Sequence, residues 1–413
     1  MIFQPPTVGS HTQMPSWSIT ARWIFSGDRA PLENGIITVT GESITAIAPR
    51  GQRTADVDLG DAAVLPGLVN AHTHLDLSGL RGQELPRTDF TQWLRRVIQF
   101  RRDRSLADVE DDIHAGWAQS LGCGTTLLGD ISAGGLSWAA LAAAPLRAVV
   151  FYEVLGLPRQ RARVAWKQAR EWLDDHPATG ALRPGLSAHA PYSVRKSLFR
   201  AAAARARRDH LPLAVHLAET RDEIALLRDR AGPFTDFLRE MQVYDPEGLV
   251  HDPDEVLQLH RGVRPFLAVH GNYLDGIGVP EGSTVIYCPR THAAFAHKPH
   301  PFPKFLAAGV RVALGTDSLA SNPDLDLLEE ARFLHRQYPQ LSGETLLRMA
   351  TLSGAEALGW QNETGSLTAG KSADLVVVPL AGADAVDPHD LFLNSREAVS
   401  RVLFRGRWVH GSP

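Results

Sequence analysis

Cysteine is scarce in this sequence. The 413 residues contain only Cys123 and Cys288, and the chain has no CxxC pair. Two isolated thiols can build neither a disulfide framework nor a thiolate-rich zinc site. We therefore expect a protein of a reducing compartment, and the predicted location is the cytoplasm.

Strong net charge and long apolar segments are also missing. The 42 basic and 46 acidic residues leave a formal charge of −4, which provides no basic field for nucleic acid. The first 17 residues lack a basic segment followed by an apolar run, so we expect no secretory signal. The most apolar stretch, 138–150, is interrupted by Pro145 and Arg147 and is shorter than the roughly 20 residues that span a bilayer. Neither nucleic acid nor a membrane is an expected partner.

The middle of the chain alternates between short apolar runs and longer helical patterns. The eight runs are 63–72, 125–131, 147–154, 183–189, 211–217, 264–271, 283–289 and 310–316. Eight β/α units over roughly 250 residues match the size of a (β/α)8 barrel, whose active site lies at the C-terminal ends of its strands. An open doubly wound sheet is the alternative, but no GxGxxG motif follows a strand to support it. The predicted fold is therefore α/β, with a TIM-like barrel.

Both chain ends show a different pattern, in which short alternating strands are separated by glycine turns. We divide the chain into an N-terminal strand-rich part at 1–62, the barrel at 63–362 and a C-terminal strand-rich part at 363–413. The stretch 229–262 is long for a single connection. It is interpreted as a helix plus an irregular excursion over the barrel mouth, because such excursions often form lids or binding loops.

Histidines and one acid lie at the ends of the predicted barrel strands. His72 and His74 share a face of the first strand, since residues i and i+2 point the same way. His216, His270 and Asp317 end three other strands, and each alone could equally be a structural histidine or a helix-capping aspartate. Together they suit one catalytic divalent ion, with Zn²⁺ favoured and Fe²⁺ as the alternative.

Glu219 follows His216 by three positions, just beyond the strand. A carboxylate at this place can face a substrate without binding the ion, which is what a proton shuttle requires. The alternative interpretation is an acid in the first turn of the next helix, where it would interact favourably with the helix dipole.

Several motifs, taken together and in order, resemble the amidohydrolase superfamily, in particular its cytosine-deaminase-like and chlorohydrolase-like branch. They are LPGLVNAHTHLDLSG, SAHAPYS, VHLAET, VHGNYLD, YCPRTHAAF, LGTDSLASN and GSLTAGKSADLVVV. The resemblance implies a distorted barrel with a small β-sandwich built from both chain ends. It also implies that His72, His74, His216 and Asp317 hold one metal ion. His270 would contact the activated water or the substrate, and Glu219 would move protons. The fourth barrel strand has no lysine to bridge two metals, so we expect a mononuclear site.

Within that branch, the motifs HTHLDLSG and CPRTHAAFAH are similar to those of aminodeoxyfutalosine deaminases and of adenosine or methylthioadenosine deaminases. The similarity implies base or sugar contacts from Asp76, Trp93 and His292, although glutamate is the commoner residue at position 76. The alternative for Trp93 is a core residue of an amphipathic helix. His189 is a candidate donor to the substrate, or else it orients a neighbouring ligand. The arginines of the first helix either recognise a substrate carboxylate or form a solvated face; they are Arg95, Arg96, Arg101 and Arg102.

The predicted function is metal-dependent hydrolytic deamination of a 6-aminopurine nucleoside, with release of ammonia. The rivals are a hydrolase of the same branch that acts on guanine, a pterin or a triazine, a non-catalytic scaffold relative, and a sugar-binding module of the terminal strands. A small molecule is the expected partner, and the sequence leaves a homodimer open.

Overall fold

The computed structural model describes residues 15–275, 278–382 and 385–412. Most of the stretch used to exclude a secretory signal lies outside these residues. Among them, no helix has both the length and the apolar character required to cross a bilayer. Cys123 and Cys288 are both free thiols.

Eighteen strands occur in the described residues. Those before the barrel are β1 Ser16–Thr20, β2 Trp23–Ile24, β3 Leu32–Glu33, β4 Gly35–Thr40, β5 Ser43–Pro49, β6 Val57–Asp58 and β7 Ala62–Pro66. Those of the barrel are β8 Leu68–Thr73, β9 Thr125–Ala133, β10 Arg147–Val154, β11 Leu182–Ala188, β12 Leu213–Leu217, β13 Phe266–His270, β14 Ser283–Tyr287 and β15 Arg311–Leu314. Those after the barrel are β16 Leu375–Pro379, β17 Arg401–Phe404 and β18 Arg407–His410.

The same residues form fourteen α-helices. In the first half they are α1 Phe90–Asp103, α2 Leu106–Gly122, α3 Ser137–Ala143, α4 Arg159–Asp175, α5 Lys196–Asp209, α6 Arg221–Asp229 and α7 Pro233–Glu240. In the second half they are α8 Pro253–Leu259, α9 Pro289–Ala294, α10 Phe302–Ala307, α11 Leu327–Gln337, α12 Gly343–Ala350, α13 Leu352–Leu358 and α14 Asp390–Leu393. Two short 3-10 helices span Leu75–Leu80 and Pro246–Gly248.

Strands β8 to β15 form one parallel sheet in chain order, and its two edges meet. The N–H of Asp317 donates to the carbonyl oxygen of His72 over 3.1 Å. The Asn70 side chain completes the seam, because it accepts the N–H of Thr316 over 3.1 Å and donates to that residue's hydroxyl over 2.7 Å. Gly315 permits this approach, since a Cβ there would lie 2.9 Å from the Cβ of His72. The predicted closed (β/α)8 barrel is confirmed.

The chain ends form two further sheets. One has the order β5-β4-β1-β6 and the other the order β18-β17-β16-β7-β2-β3. Apolar side chains of both sheets, such as Ile19, Ile37, Val377 and Leu403, share one buried cluster, as expected for a sandwich. Residues far apart in sequence are therefore neighbours, since Pro66 of β7 pairs with Leu375 of β16.

The predicted first barrel strand, 63–72, is two strands in the structure. β7 belongs to the six-stranded sheet and β8 to the barrel, with Gly67 between them. The N–H of Gly67 donates to the carbonyl of Asp374, and a Cβ on Gly67 would collide with the Thr126 side chain at 2.0 Å. The chain therefore changes sheet at this glycine. The predicted domain boundaries stay a prediction. The first of them, between residues 62 and 63, falls inside β7.

A buried ion pair joins the barrel to the six-stranded sheet. Arg147, the first residue of β10, contacts the carboxylate of Asp374, which immediately precedes β16. The same carboxylate accepts the Ser372 hydroxyl over 2.8 Å and the Arg405 N–H over 2.9 Å. Because both charged groups are almost fully buried, each depends on the other for compensation.

Candidate metal centre and catalytic cavity

The histidines and the aspartate predicted to bind metal meet at the C-terminal end of the barrel. The Nε2 atoms of His72 and His74 lie 3.5 and 3.6 Å from Oδ1 of Asp317. The Nε2 atom of His74 lies 3.2 Å from that of His216. Four strand ends, those of β8, β12, β13 and β15, thus bring their ligand-type side chains together, as the strand-end pattern predicts.

Two of these imidazoles, those of His74 and His216, favour the neutral form that metal binding requires. Burial, followed by the charges of neighbouring histidines, lowers the pKa of His74 and of His216 well below 6.5. The Nδ1 atom of His216 lies 2.8 Å from the carbonyl oxygen of His189, so Nδ1 carries the hydrogen and Nε2 keeps its lone pair. That nitrogen is the one that lies 3.2 Å from Nε2 of His74.

Asp317 is held as a carboxylate beside these rings. Burial opposes its ionisation, but electrostatic attraction to His72 and His270 and the hydrogen bond from the Ser321 hydroxyl together lower its pKa below 3.8. The Ser321 hydroxyl donates to Oδ2 over 2.6 Å, which leaves Oδ1 facing the histidines. The donor set therefore combines one carboxylate oxygen with several imidazole nitrogens.

Three residues at these strand ends have left-handed backbone conformations. The φ angle is 52° at Ala218, 67° at His270 and 60° at Asp317. Such angles are unfavourable for residues other than glycine, and they concentrate at functional sites. At His270 the conformation is supported by His300, whose Nε2 lies 2.7 Å from the carbonyl oxygen of His270.

The donor set fits a metal ion by its own chemistry. One atom from each of His72, His74 and Asp317 lies within 4.8 Å of the others, and the same holds for His72, His216 and His270. Within the described residues, neither ring nitrogen of the fully buried His72 has a hydrogen-bond partner. Buried polar atoms without partners are costly, and an ion among them removes that cost.

Glu219 lies beside the ligands and outside the metal-binding group. Its Oε1 is 3.5 Å from Nε2 of His270. Burial, followed by the negative charges of Asp317 and Glu223, raises its pKa well above 4.5. Helix α6 begins at Arg221, after the capping residue Thr220, so Glu219 does not occupy the first helical turn. The raised pKa favours the protonated form of this carboxyl group, which is the form that a proton donor needs.

The backbone of Glu219 is fixed by two residues that the sequence analysis did not identify. The carboxylate of Glu223 accepts the N–H of Ala218 over 2.9 Å and the N–H of Glu219 over 3.2 Å. The side-chain amide of Asn272 donates to the carbonyl of Glu219 over 3.0 Å. The spacing HxxExxxE was visible in the sequence, but its meaning depends on the turn at Ala218.

A cavity of about 360 Å³ opens above the metal-binding group. Its floor includes His74, His216, Glu219, His270 and Asp317. Apolar side chains of α1 and α7 form one wall, and exposed arginines of α1 and α4 lie at its rim. The segment 229–262 is more helical than predicted, since it contains α7, a 3-10 helix and α8, and α7 covers part of the barrel mouth.

Two of the four predicted substrate contacts line this cavity. Trp93 forms part of the apolar wall, where its indole N–H donates to the carbonyl of Ala320 over 3.2 Å. His189 lies at the side of the floor, with its ring centroid 5.1 Å from that of His216. The Nδ1 atom of His189 is 2.6 Å from the Ser193 hydroxyl, so Nε2 remains free to contact a ligand.

Asp76 and His292 lie elsewhere. Oδ2 of Asp76 is 2.9 Å from the guanidinium of Arg101, behind the cavity wall. Nε2 of His292 is 2.9 Å from the carbonyl oxygen of Lys298, and its ring packs edge-on against Tyr287. Their roles in substrate binding stay predictions.

Some arginines of α1 face the cavity, as carboxylate recognition requires, and others lie on the solvated face of the helix. Arg95 pairs with Glu240 over 2.6 Å on the outside of the barrel. Arg101 and Arg102 line the cavity, and Arg101 also approaches Glu153 to 3.4 Å. Glu153, near the end of β10, is a cavity residue that the sequence analysis did not identify, although its position near a strand end was a visible signal.

Comparison with known proteins agrees with this geometry. The model of the amidohydrolase family matches residues 63–409. A 5-methylthioadenosine/S-adenosylhomocysteine deaminase of Moorella thermoacetica is 31% identical over 392 residues, covering 87% of this chain and 85% of that protein. An aminodeoxyfutalosine deaminase of Deinococcus radiodurans is 31% identical over 380 residues, covering 83% and 85%.

Solved structures resemble the whole fold. An adenosine deaminase of Xanthomonas campestris with bound zinc has a TM-score of 0.79 and 25% identity, covering 95% of this chain and 92% of that one. The aminofutalosine deaminase of Helicobacter pylori in complex with methylthio-coformycin has a TM-score of 0.83, covering 95% and 100% at 24% identity. The family predicted from the motifs is confirmed: this chain belongs to the amidohydrolase family.

Proposed function

We propose that this protein is a hydrolytic deaminase of a 6-aminopurine nucleoside, with aminodeoxyfutalosine as the preferred substrate and methylthioadenosine or adenosine as alternatives. The observation that carries the proposal is the floor of the cavity. It places Glu219, whose Oε1 lies 3.5 Å from Nε2 of His270, beside the buried imidazoles and the Asp317 carboxylate of the metal-binding group.

One divalent ion would be held by His72, His74, His216 and Asp317, with Zn²⁺ favoured and Fe²⁺ as the alternative. Such an ion supplies Lewis-acid activation of a water nucleophile. The absence of thiolates from the donor set suits a catalytic rather than a purely structural site.

The chain's own residues would then manage the protons. Asp317, as a carboxylate, accepts a proton from the attacking water. Glu219, as an acid, delivers a proton to the ring nitrogen adjacent to the carbon under attack. The amino group leaves as ammonia after it receives a proton from the same carboxyl groups. His270, 3.5 Å from Glu219, orients the water by hydrogen bonding.

The cavity supports a nucleoside-sized substrate. Its volume of about 360 Å³ lies in the range of small-molecule sites, and the Trp93 and Phe90 rings provide an aromatic wall. Arg102 and Arg161 stand exposed at the mouth, where they suit the carboxylate that aminodeoxyfutalosine carries. The names of the two relatives described above, both deaminases of adenine nucleosides, support the same class.

The main rival is a hydrolase that acts on guanine, a pterin or a triazine. Glu219 favours deamination over halide removal, because ammonia needs a delivered proton whereas a halide leaves without one. A small molecule is the proposed partner in either case, and a homodimer stays a prediction.

The test is a panel assay on the purified, zinc-loaded protein. We expect ammonia release and the absorbance change of an adenine-to-hypoxanthine conversion with aminodeoxyfutalosine, methylthioadenosine, S-adenosylhomocysteine or adenosine. Guanine, cytosine, a pterin and a chlorotriazine are the comparison substrates. Activity on one of these and on no adenine nucleoside would overturn the proposal.

Replacing Glu219 with glutamine tests the proton assignment separately. The amide can hydrogen-bond but cannot carry a proton, so kcat should fall by at least about 100-fold while the metal content is unchanged. Glu240→Gln, which alters a half-exposed carboxylate on α7, is the matched control. Loss of metal from the Glu219 variant would make Glu219 a ligand and refute its proposed role.

A further inference from the structure

Glu153 presents a carboxylate oxygen that lacks a partner at the wall of the cavity. The side chain is only 1% exposed, and it lines the cavity near the end of β10. Among the described residues, its Oε1 has no hydrogen-bond donor. Burying a carboxylate oxygen without a hydrogen-bond donor costs free energy, and a ligand that donates a hydrogen bond to this atom would remove that cost.

The other oxygen of Glu153 is already engaged. Its Oε2 lies 3.4 Å from Nη1 of Arg101, whose Nη2 is 2.9 Å from Asp76. The guanidinium is therefore held between two acids, with Asp76 behind the wall and Glu153 in front. This arrangement orients the Glu153 carboxylate so that Oε2 faces Arg101 on α1 and Oε1 has no hydrogen-bond donor. Asp76 acts through Arg101 here, as a positioning residue.

His189 connects this carboxylate to the catalytic floor. Its Nε2 lies 3.8 Å from Oε1 of Glu153, which is too long for a hydrogen bond. Its ring centroid is 5.1 Å from that of His216, a proposed metal ligand. The order along the cavity is thus metal-binding group, His189, Glu153. A ring that reacts at the floor and passes His189 would place its substituent beside Glu153.

We propose that Glu153 binds the sugar hydroxyls of the substrate, with His189 beside it, and so selects nucleosides over free bases. The inference rests on the proposed function and names the residue that recognises the sugar. A ribose offers two adjacent hydroxyl donors, which match a carboxylate oxygen that lacks a donor. The assignment differs from the one that the motifs imply, in which Asp76 is among the residues that contact the base or the sugar.

The experiment compares Glu153→Gln with the wild-type enzyme on adenosine, 2′-deoxyadenosine, 3′-deoxyadenosine and free adenine. A hydrogen bond to a charged group justifies a wild-type preference in kcat/KM of about 10- to 100-fold for adenosine over at least one deoxy analogue. In Glu153→Gln this ratio should collapse to within about 3-fold, mainly through a lower kcat/KM for adenosine. The kcat/KM for the discriminated deoxy analogue should change little, as in a double-mutant cycle.

Two further variants make the result specific. Glu240→Gln removes the partner of another α1 arginine, Arg95, away from the cavity, and it should keep the wild-type ratio. Glu153→Asp keeps the charge on a shorter side chain, and it should retain part of the discrimination. Melting temperature and zinc content are measured for each variant, so that the ratio is read only from folded, loaded protein.

Each outcome is decisive. Collapse of the ratio in Glu153→Gln with retention in Glu240→Gln supports the assignment. The assignment is overturned, while the proposed function stands, if wild-type protein does not discriminate the sugars or if Glu153→Gln discriminates as well as wild type. It is also overturned if Asp76→Asn removes discrimination and Glu153→Gln does not. Turnover of other amino-substituted rings without any adenine nucleoside overturns both.

Discussion

Replacement of Glu223 by glutamine should disturb catalysis without touching any ligand. The carboxylate of Glu223 is fully buried and accepts the N–H groups of Ala218 and Glu219. The amide of glutamine retains one acceptor but directs an N–H₂ group at the second backbone N–H. That N–H is buried, and leaving such a group unsatisfied costs about 1–3 kcal/mol. The left-handed conformation of Ala218, with φ of 52°, loses part of its support.

We expect the variant to lose about 1–3 kcal/mol of unfolding free energy and about 10- to 100-fold in kcat, because each factor of ten corresponds to 1.4 kcal/mol. KM and zinc content should change little. The assay is steady-state kinetics on the best nucleoside of the panel, together with urea unfolding and metal analysis of the same samples.

The matched control is Glu255→Gln. Glu255 accepts the backbone N–H of His251 over 2.8 Å at the start of α8, away from the cavity, and it also pairs with Lys196. This variant should lose stability and keep the wild-type kcat. A Glu223 variant that is destabilised by the expected amount but retains full kcat would refute the idea that Glu223 positions Glu219.

Three other predictions concern stability, pH and metal. Arg147→Met leaves the carboxylate of Asp374 buried without its partner, so urea unfolding should show that the free energy of unfolding falls by about 3–5 kcal/mol. A decrease below about 1 kcal/mol would contradict the view that this ion pair joins the barrel to the six-stranded sheet. Burial lowers the pKa of His260 to about 4, so below pH 6.5 this residue is protonated in the unfolded chain but stays neutral in the folded chain. The free energy of unfolding therefore falls as the pH drops from about 6.5 to about 4. His260→Gln should weaken this dependence by up to about 1.4 kcal/mol per pH unit in urea titrations, and equal slopes would disprove it. Chelation should abolish ammonia release, and zinc should restore it; activity in verified metal-free protein would exclude the metal role.

The barrel and its metal-binding group could be predicted because short stretches of sequence are enough to identify them. Alternating apolar runs and helical patterns mark each β/α unit, and a parallel barrel necessarily brings the C-terminal ends of its strands together. Residues such as His216 and Asp317 could be recognised because they lie at or just beyond the ends of apolar runs. No knowledge of distant contacts was needed for these predictions.

The substrate side of the cavity could not be predicted in this way. Asp76 lies near the metal-binding pair in sequence, but the structure pairs it with Arg101 on α1, and this contact depends on how the helix packs. The unpartnered oxygen of Glu153 is likewise the result of where Arg101 points. The break at Gly67 was missed because its cause, the pairing with the segment around Asp374, lies about 300 residues away in the chain.

The pairing of β7 with β16 also sets an order of events during synthesis. Pro66 and Leu375 are neighbours in the sheet but are separated by about 310 residues. At about 5–20 residues per second, a ribosome needs roughly 15 to 60 s to produce the intervening chain. Until β16 is made, the edge of β7 that it will cover stays open, and by then the ribosome has produced all the barrel strands from β8 to β15. The newly made protein therefore completes its sandwich last, and a chain that stops before β16 retains an unpaired strand edge that can bind another chain.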